Sequence, residues 1–183
     1  MTTLEQQAVA HVSAERAREL LSYEPETGIL RWRVARSQKV PGDIAGSLDR
    51  GGYVVVRIDR RTYQAHRIIW LIVTGKLPAQ HIDHADRNRA NNRLSNLREA
   101  TPSQNCANSV FKSRHGVKGV CFIKGRSKPW QTYIGANGRR IFLGNFSTKE
   151  EAARAYQAAA EKYHGEYACT YSRLEHRAQE SAQ

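Results

Sequence analysis

The chain has little cysteine and no long apolar run. Its three cysteines, Cys106, Cys121 and Cys169, include no Cys-x-x-Cys pair. Neither a disulfide framework nor a zinc knuckle is indicated, and all three read as reduced, incidental thiols. No stretch approaches the ~20 apolar residues of a membrane span, and Met1 to His11 lacks a basic segment followed by an apolar one. The expectation is a cytoplasmic protein with no membrane partner.

Positive charge is in excess. With 29 Lys and Arg against 17 Asp and Glu, the net charge over 183 residues is +12 and the pI about 10.0. That is the footprint of a protein that neutralises phosphates, although a ribosomal or membrane-surface protein would share it. The excess is spread along the chain, 16 Lys and Arg against 10 acids over Ala14 to Phe111 and 9 against 4 over Gly116 to Ser172. Both halves are therefore expected to touch a polyanion.

The chemistry is concentrated in His81-Ile82-Asp83-His84-Ala85-Asp86-Arg87-Asn88-Arg89-Ala90-Asn91-Asn92-Arg93-Leu94-Ser95-Asn96-Leu97-Arg98, with Asn105 beyond it. Asp83 offers the hard oxygen that suits Mg²⁺, and the adjacent His84 is an imidazole able to accept a proton near neutral pH. Asp-His, an Asn twelve residues on in Asn-Leu-Arg, and another Asn nine residues later resemble the HNH endonuclease family in its His-Asn-Asn form. The combination is specific, where an Asp-His pair alone would be common. The resemblance implies a ββα-metal finger, with His84 as the general base and Asn96 as the central residue tying the two strands. It also implies that Asp83 and Asn105 hold one Mg²⁺ or Mn²⁺ per active site.

Asn88, Asn91 and Asn92 read instead as loop amides bonded to their own backbone. His81, two residues before Asp83, shares its side of an extended strand and either assists or packs. His66, in Tyr-Gln-Ala-His-Arg-Ile-Ile-Trp, opens a predicted helix to Gly75 that buries Ile69, Trp70 and Val73. It reads more as a core histidine orienting the finger than as a ligand. Arg67 and Arg98 are nearby cations to which the sequence gives no role.

The pattern predicts an N-terminal tail over 1–13, a nuclease domain over 14–107, a polar linker over 108–115, a second domain over 116–172 and a C-terminal tail over 173–183. In the first domain a short helix over 14–22 precedes strands at 28–33 and 52–58, with a hairpin turn at Arg60-Arg61 and pairing resumed at Thr62-Tyr63. In the second, strands are expected at 119–122, 130–134 and 140–144, with Asn137-Gly138 as a hairpin turn. Ser147 with Glu150 reads as a capping box for a helix carrying Ala152, Ala155, Tyr156, Ala159 and Tyr163 on one face.

Lys118-Gly119-Val120, Trp130 and the run from Phe142-Leu143-Gly144 to Ala155-Tyr156 resemble the AP2/ERF DNA-binding domain over nearly all of 116 to 168. The fold class implied for the whole chain is α+β, a ββα-metal nuclease domain followed by a three-stranded antiparallel sheet on one helix. Alternation along the strands puts Cys121, Ile123, Gln131, Tyr133, Gly135, Arg140 and Phe142 on the DNA face, and Trp130 in the core. Lys118, Tyr133, Arg139, Arg140 and Phe142 are candidate DNA contacts, and Lys124, Arg126 and Lys128 in the first hairpin loop are candidate phosphate contacts. Cys121, Ile123 and Gly135 stand where plant members carry arginines, so the plant target does not transfer.

Together the two resemblances imply a metal-dependent endonuclease of phage or mobile-element homing type, cutting double-stranded DNA as a monomer or homodimer, in the host cytoplasm if phage-borne. The alternative is a DNA-binding transcriptional regulator with a vestigial nuclease fold. The intact set Asp83, His84, Asn96 and Asn105 favours the enzyme.

Overall fold

A computed structural model describes residues 12–109, 115–136 and 138–169. They group into two compact units that divide between Glu99 and Ala100. The stretch 108–115, read as a linker, falls within the second unit, and most of it lies outside the described residues, as do Asn137 and nearly all of both tails. No helix among the described residues is long and apolar enough to cross a membrane.

The first unit begins with α1 (Ala14–Leu20), whose N-cap Ser13 accepts a hydrogen bond from the Arg16 amide and whose inner face buries Ala14, Ala17 and Leu20. The chain passes directly into β1 (Leu21–Glu24), antiparallel to β2 (Ile29–Trp32). A second sheet has the order β3 (Ser47–Leu48), β4 (Val54–Ile58), β5 (Arg61–Gln64). Its β4–β5 turn is Asp59-Arg60, one residue earlier than the sequence suggested. Both residues have positive φ, 45° and 67°, which matches the right-handed twist of the flanking strands. Arg16 holds Asp59 from Nε at 3.0 Å and Nη2 at 3.1 Å.

α2 (Ala65–Thr74) follows β5 without a loop and ends at Gly75. It buries Ala65, His66, Ile68, Ile69 and Leu71, whereas Trp70 is half-buried and Val73 exposed. The buried stripe is therefore set one position away from the expected one. It joins Leu20, Leu21, Leu30, Trp32, Val56 and Ile58 in one core. β6 (His81–His84) and β7 (Leu97–Ala100) form their own two-stranded sheet, with Ile82 and Leu97 entering the same core.

In the second unit, α3 (Pro102–Asn108) carries a full capping box between Thr101 and Gln104, with Pro102 in its first turn. The sheet has the order β10 (Arg139–Phe146), β9 (Trp130–Ala136), β8 (Val120–Phe122), all antiparallel. α4 (Lys149–His164) packs on it, burying Ala152, Tyr156, Ala159 and Ala160 against Ile134, with Ile141 and Leu143 partly buried beside them. The capping box is Thr148 with Glu151 rather than Ser147 with Glu150. Tyr163 is exposed, under the Lys162 ammonium.

Candidate active site

β6 delivers the two central side chains to the interior. Asp83 and His84 are each 4% exposed, while His81, at the strand's first position, is exposed. Among the described residues His81 bonds to neither of them, so it does not share their environment. Arg98 of β7 donates from Nε to Asp83 Oδ2 at 3.0 Å, and its Nη2 lies 2.9 Å from the same oxygen as an ion pair. Burying a carboxylate is costly unless it is paired and hydrogen-bonded in this way.

His84 Nε2 lies 3.1 Å from Asn92 Oδ1, in a bond shielded from solvent on both sides. Asn92 is only 2% exposed. Its Nδ2 donates to the Ala90 carbonyl at 3.3 Å, which orients the amide so that Oδ1 faces the imidazole as acceptor. Burial pushes the His84 pKa down, against the raising effects of the Asn92 bond and the Asp86 and Asp83 carboxylates. The ring is thus kept in its neutral, basic form.

The loop between the strands is a lattice of short polar side chains. Asn96 ties its two ends: its carbonyl accepts the Ala85 amide at 2.9 Å, its Oδ1 accepts the Asp86 amide at 2.9 Å, and its Nδ2 donates to Asp86 Oδ1 and the Asn91 carbonyl, both at 2.8 Å. Asp86 Oδ2 receives Asn91 Nδ2 at 2.6 Å, and Asp86 Oδ1 also accepts the Asn88 amide at 2.8 Å. The lattice is pinned to β1–β2. Tyr23 Oη donates to the Asn92 carbonyl at 3.2 Å and accepts the Leu94 amide at 2.8 Å. Gly28, at φ 76°, packs so close that a Cβ would meet the Asn92 carbonyl carbon at 2.7 Å.

His66 packs edge-on against His84, ring centroids 5.0 Å apart at 87°. Tyr53 flanks both rings at 5.6 and 6.0 Å, and the Arg89 guanidinium covers Tyr53 at 4.8 Å. Burial first, then the charges of His84 and Arg67, lowers the His66 pKa to about 3. His66 Nδ1 is buried without a hydrogen-bond partner among the described residues. His66 is thus a buried ring packed against His84.

Sequence reasoning placed Asn92 among the self-bonded loop amides. That holds for Asn88, whose Oδ1 accepts the Ala90 amide at 3.1 Å. It fails in part for Asn91, which also reaches Asp86, and it misses the bond from Asn92 to His84. Asp86, Tyr53 and the pairing of Arg98 with Asp83 were also missed. The signal for Asn92 was its place in the same short loop as the base, but an Asn-rich loop does not say which amide turns inward.

Asn105 sits partly buried on α3, in the second unit. Among the described residues no group of three or more His, Cys, Asp or Glu gathers to hold a metal ion. The oxygen donors that the motif names, the Asp83 carboxylate and the Asn105 amide, are nevertheless hard ligands of the kind Mg²⁺ or Mn²⁺ takes while keeping waters.

On the sheet of the second unit, Tyr133 and Phe142 stack at 5.2 Å, and Arg140 lies 3.9 Å over Tyr133. Arg140, Phe142, Lys124, Arg126 and Lys128 are all exposed. Arg139 is exposed too, but it pairs with buried Ala136 and so lies on the opposite face from Arg140. Lys118 departs from its assignment as a DNA contact. Its ammonium donates to the carbonyls of Cys106 and Ala107 at 2.8 Å and Ser109 at 3.0 Å, the C-terminal end of α3. Trp130 is half-buried in a cluster with Phe122 and His115 instead of lying in the core.

The buried Asp-His pair lies on the first strand of a two-stranded sheet whose connecting loop Asn96 ties together. The HNH endonuclease family model matches residues 63–107. The chain is 31% identical over 106 residues to protein 3.8 of Escherichia phage T7, covering 86% of that protein and 56% of this one. It is 37% identical over 124 residues to an uncharacterized HNH endonuclease of Acanthamoeba polyphaga mimivirus, covering 66% of this chain. An AP2-like ethylene-responsive transcription factor of Arabidopsis thaliana is 40% identical over 63 residues, 31% of this chain. The chain spans 63% of the mimivirus protein's length and 13% of the plant protein's. No solved structure matches it. The chain belongs to the family of the phage protein and carries an HNH endonuclease domain.

Proposed function

We propose that the protein is a metal-dependent endonuclease of phage or mobile-element homing type that hydrolyses phosphodiester bonds in double-stranded DNA, acting in the host cytoplasm. The observation that carries this reading is the buried, neutral His84, bonded through Nε2 to Asn92 and adjacent to Asp83. With the Nε2 hydrogen donated to Asn92 Oδ1, the imidazole lone pair lies on Nδ1, the atom at which a proton is taken from the attacking water. Asn96 fixes the hairpin that carries the base. Asp83 and Asn105 would hold one Mg²⁺ or Mn²⁺, which supplies electrostatic stabilisation of the phosphate and the departing 3′ oxygen. Arg98 holds the Asp83 carboxylate in place through Nε at 3.0 Å.

We assign the nuclease domain to 14–107 and target binding to an AP2-like domain over 116–172, whose outer sheet face carries Tyr133, Arg140 and Phe142, with Lys124 and Arg126 in the adjoining loop. The partial likeness to a plant transcription factor supports that assignment, and it also favours a second reading, a regulator with a vestigial nuclease fold. The complete set Asp83, His84, Asn96 and Asn105 argues for the enzyme.

Incubation with supercoiled plasmid and Mg²⁺ or Mn²⁺, with and without chelator, tests both. Metal-dependent conversion to open-circle DNA is the expected result for a monomer with one finger, and linear DNA that for a dimer. Intact plasmid under all conditions, with duplex binding retained, selects the regulator.

A further inference from the structure

One row of the outer sheet face is created by a backbone irregularity. Along β10 the partners run Arg140↔Gly135, Ile141↔Ile134 and Phe142↔Tyr133, then shift so that Gly144 faces Thr132 and Asn145 faces Gln131. Leu143 is the extra residue of a bulge, which turns every later side chain to the other face. Gly144 takes φ 137° there, a conformation open to glycine, and a Cβ on it would stand 3.2 Å from the Phe146 ring. Simple alternation from Arg140 and Phe142 would send Asn145 toward the helix side. The bulge sends it outward instead, into one row with Gln131 and, across β8, Cys121.

In that row Gln131 Nε2 donates to Asn145 Oδ1 at 3.1 Å. The bond consumes one donor and one acceptor. Whichever way the two amides are turned, it leaves a carbonyl on one and an NH₂ on the other, adjoining a solvent-exposed bond. In the major groove adenine presents N7 as acceptor beside N6–H₂ as donor, whereas guanine presents two acceptors and would repel the carbonyl. The deep, narrow major groove of an RNA duplex does not admit a sheet.

We infer that Gln131 and Asn145 act as one unit that reads an adenine edge in the major groove of duplex DNA, an inference that rests on the outer sheet face being the target-binding surface. Arg140 supplies the second anchor. Held over the Tyr133 ring at 3.9 Å, opposite a Gly135 with open space around it, its guanidinium is positioned for the bidentate guanine contact. Gly135 and Gln131 are four residues apart on β9, roughly 14 Å at ~3.4 Å per residue. Duplex DNA rises ~3.4 Å per base pair, so the guanine and the adenine fall within about four base pairs of each other.

The test is selection of bound duplexes from a randomised pool at one fixed salt concentration. It uses the full-length protein carrying His84→Ala, with chelator present so that nothing is cut. The selected motif should contain an adenine and a guanine at that separation. On the selected duplex, added Gln131→Ala and Asn145→Ala changes should each weaken binding by about 5- to 150-fold and relax the same single position. Combined, they should lose no more than either alone, because they act as a unit. Binding to a scrambled duplex should not change. Asn145→Asp, which keeps the shape without the donor, should move the preference from adenine toward cytosine. If the two alanine variants relax different positions, or neither relaxes any, the inference fails while DNA targeting by this sheet stands. A pool with no enrichment, or tighter binding to single-stranded RNA, overturns the targeting reading and the inference with it.

Discussion

His84 and Asn92 are joined by a buried bond, Nε2 to Oδ1 at 3.1 Å, and the amide that makes it is locked from behind by the Ala90 carbonyl, Tyr23 and Gly28. The loop between β6 and β7 thus fixes both the plane and the tautomer of the imidazole. Preorganisation of this kind acts on the transition state more than on binding.

Asn92→Ala should accordingly lower single-turnover cleavage by roughly 10- to 100-fold, the range seen when a supporting hydrogen bond to a site histidine is lost. Duplex affinity in chelator should stay within a few fold. The variant also removes the buried bond to His84 Nε2, at about 1–3 kcal/mol of stability, visible as a lower urea midpoint. Weaker binding in proportion to the loss of rate would remove the orienting role from Asn92.

Asp83 and Arg98 form a partnership in which each covers the other's buried charge. Asp83→Asn removes the ion pair with Arg98 and should lower stability by about 1–3 kcal/mol, and should sharply raise the Mg²⁺ concentration needed for cleavage. Asp83→Asn with Arg98→Met should recover most of the stability and none of the cleavage. An unchanged Mg²⁺ titration in the single variant would move the ion to Asp86 or elsewhere.

His66 makes acid stability a local property of the site. Its pKa falls from an ordinary value of 6.5 to about 3 on folding, so below pH 6.5 the unfolded chain binds a proton that the folded chain refuses. Stability from this group is complete above pH 6.5 and is lost as pH falls toward 3, by up to ~1.4 kcal/mol per pH unit. His84 pulls in the same direction, so the comparison that isolates His66 is wild type against His66→Phe. Urea midpoints between pH 7.5 and 4.5 should fall less steeply in the variant. Parallel slopes would mean that His66 is protonated in the folded state.

The candidate site was legible as a cluster because it is written in residue types that a loop does not otherwise need, an Asp and a His side by side with an Asn at fixed spacing. The strands of the second unit were legible from alternation and from Gly138. What escaped depends on tertiary placement. Asn91 and Asn92 are adjacent amides with equal loop propensity, yet only Asn92 faces His84, because Tyr23 and Gly28, 69 and 64 residues earlier, hold its backbone. Asn145 was hidden by the bulge at Leu143, a single inserted residue that reverses the parity on which alternation relies. Val73 was misplaced because the helix turns its buried stripe by one position toward β4 and β5.

Lys118 separates charge that binds from charge that builds. The sequence put it among the DNA contacts, but its three donors point at the carbonyls of Cys106, Ala107 and Ser109, where a helix end carries partial negative charge. Burial pulls its pKa below the ordinary lysine value, the opposite of what a solvated, phosphate-facing ammonium would show. Lys118→Met keeps the stem and removes the donors. Duplex affinity should therefore stay within about two-fold and the slope of log affinity against log salt should not change, since no phosphate contact is lost. Amide exchange at the end of α3 should accelerate. Because α3 also carries Asn105, the Mg²⁺ concentration for half-maximal cleavage should rise, while Arg140→Ala, with no link to that helix, should alter duplex selectivity and leave the Mg²⁺ titration alone. A Lys118→Met protein that binds every duplex more weakly, with the salt slope smaller by about one, would return the residue to the DNA interface.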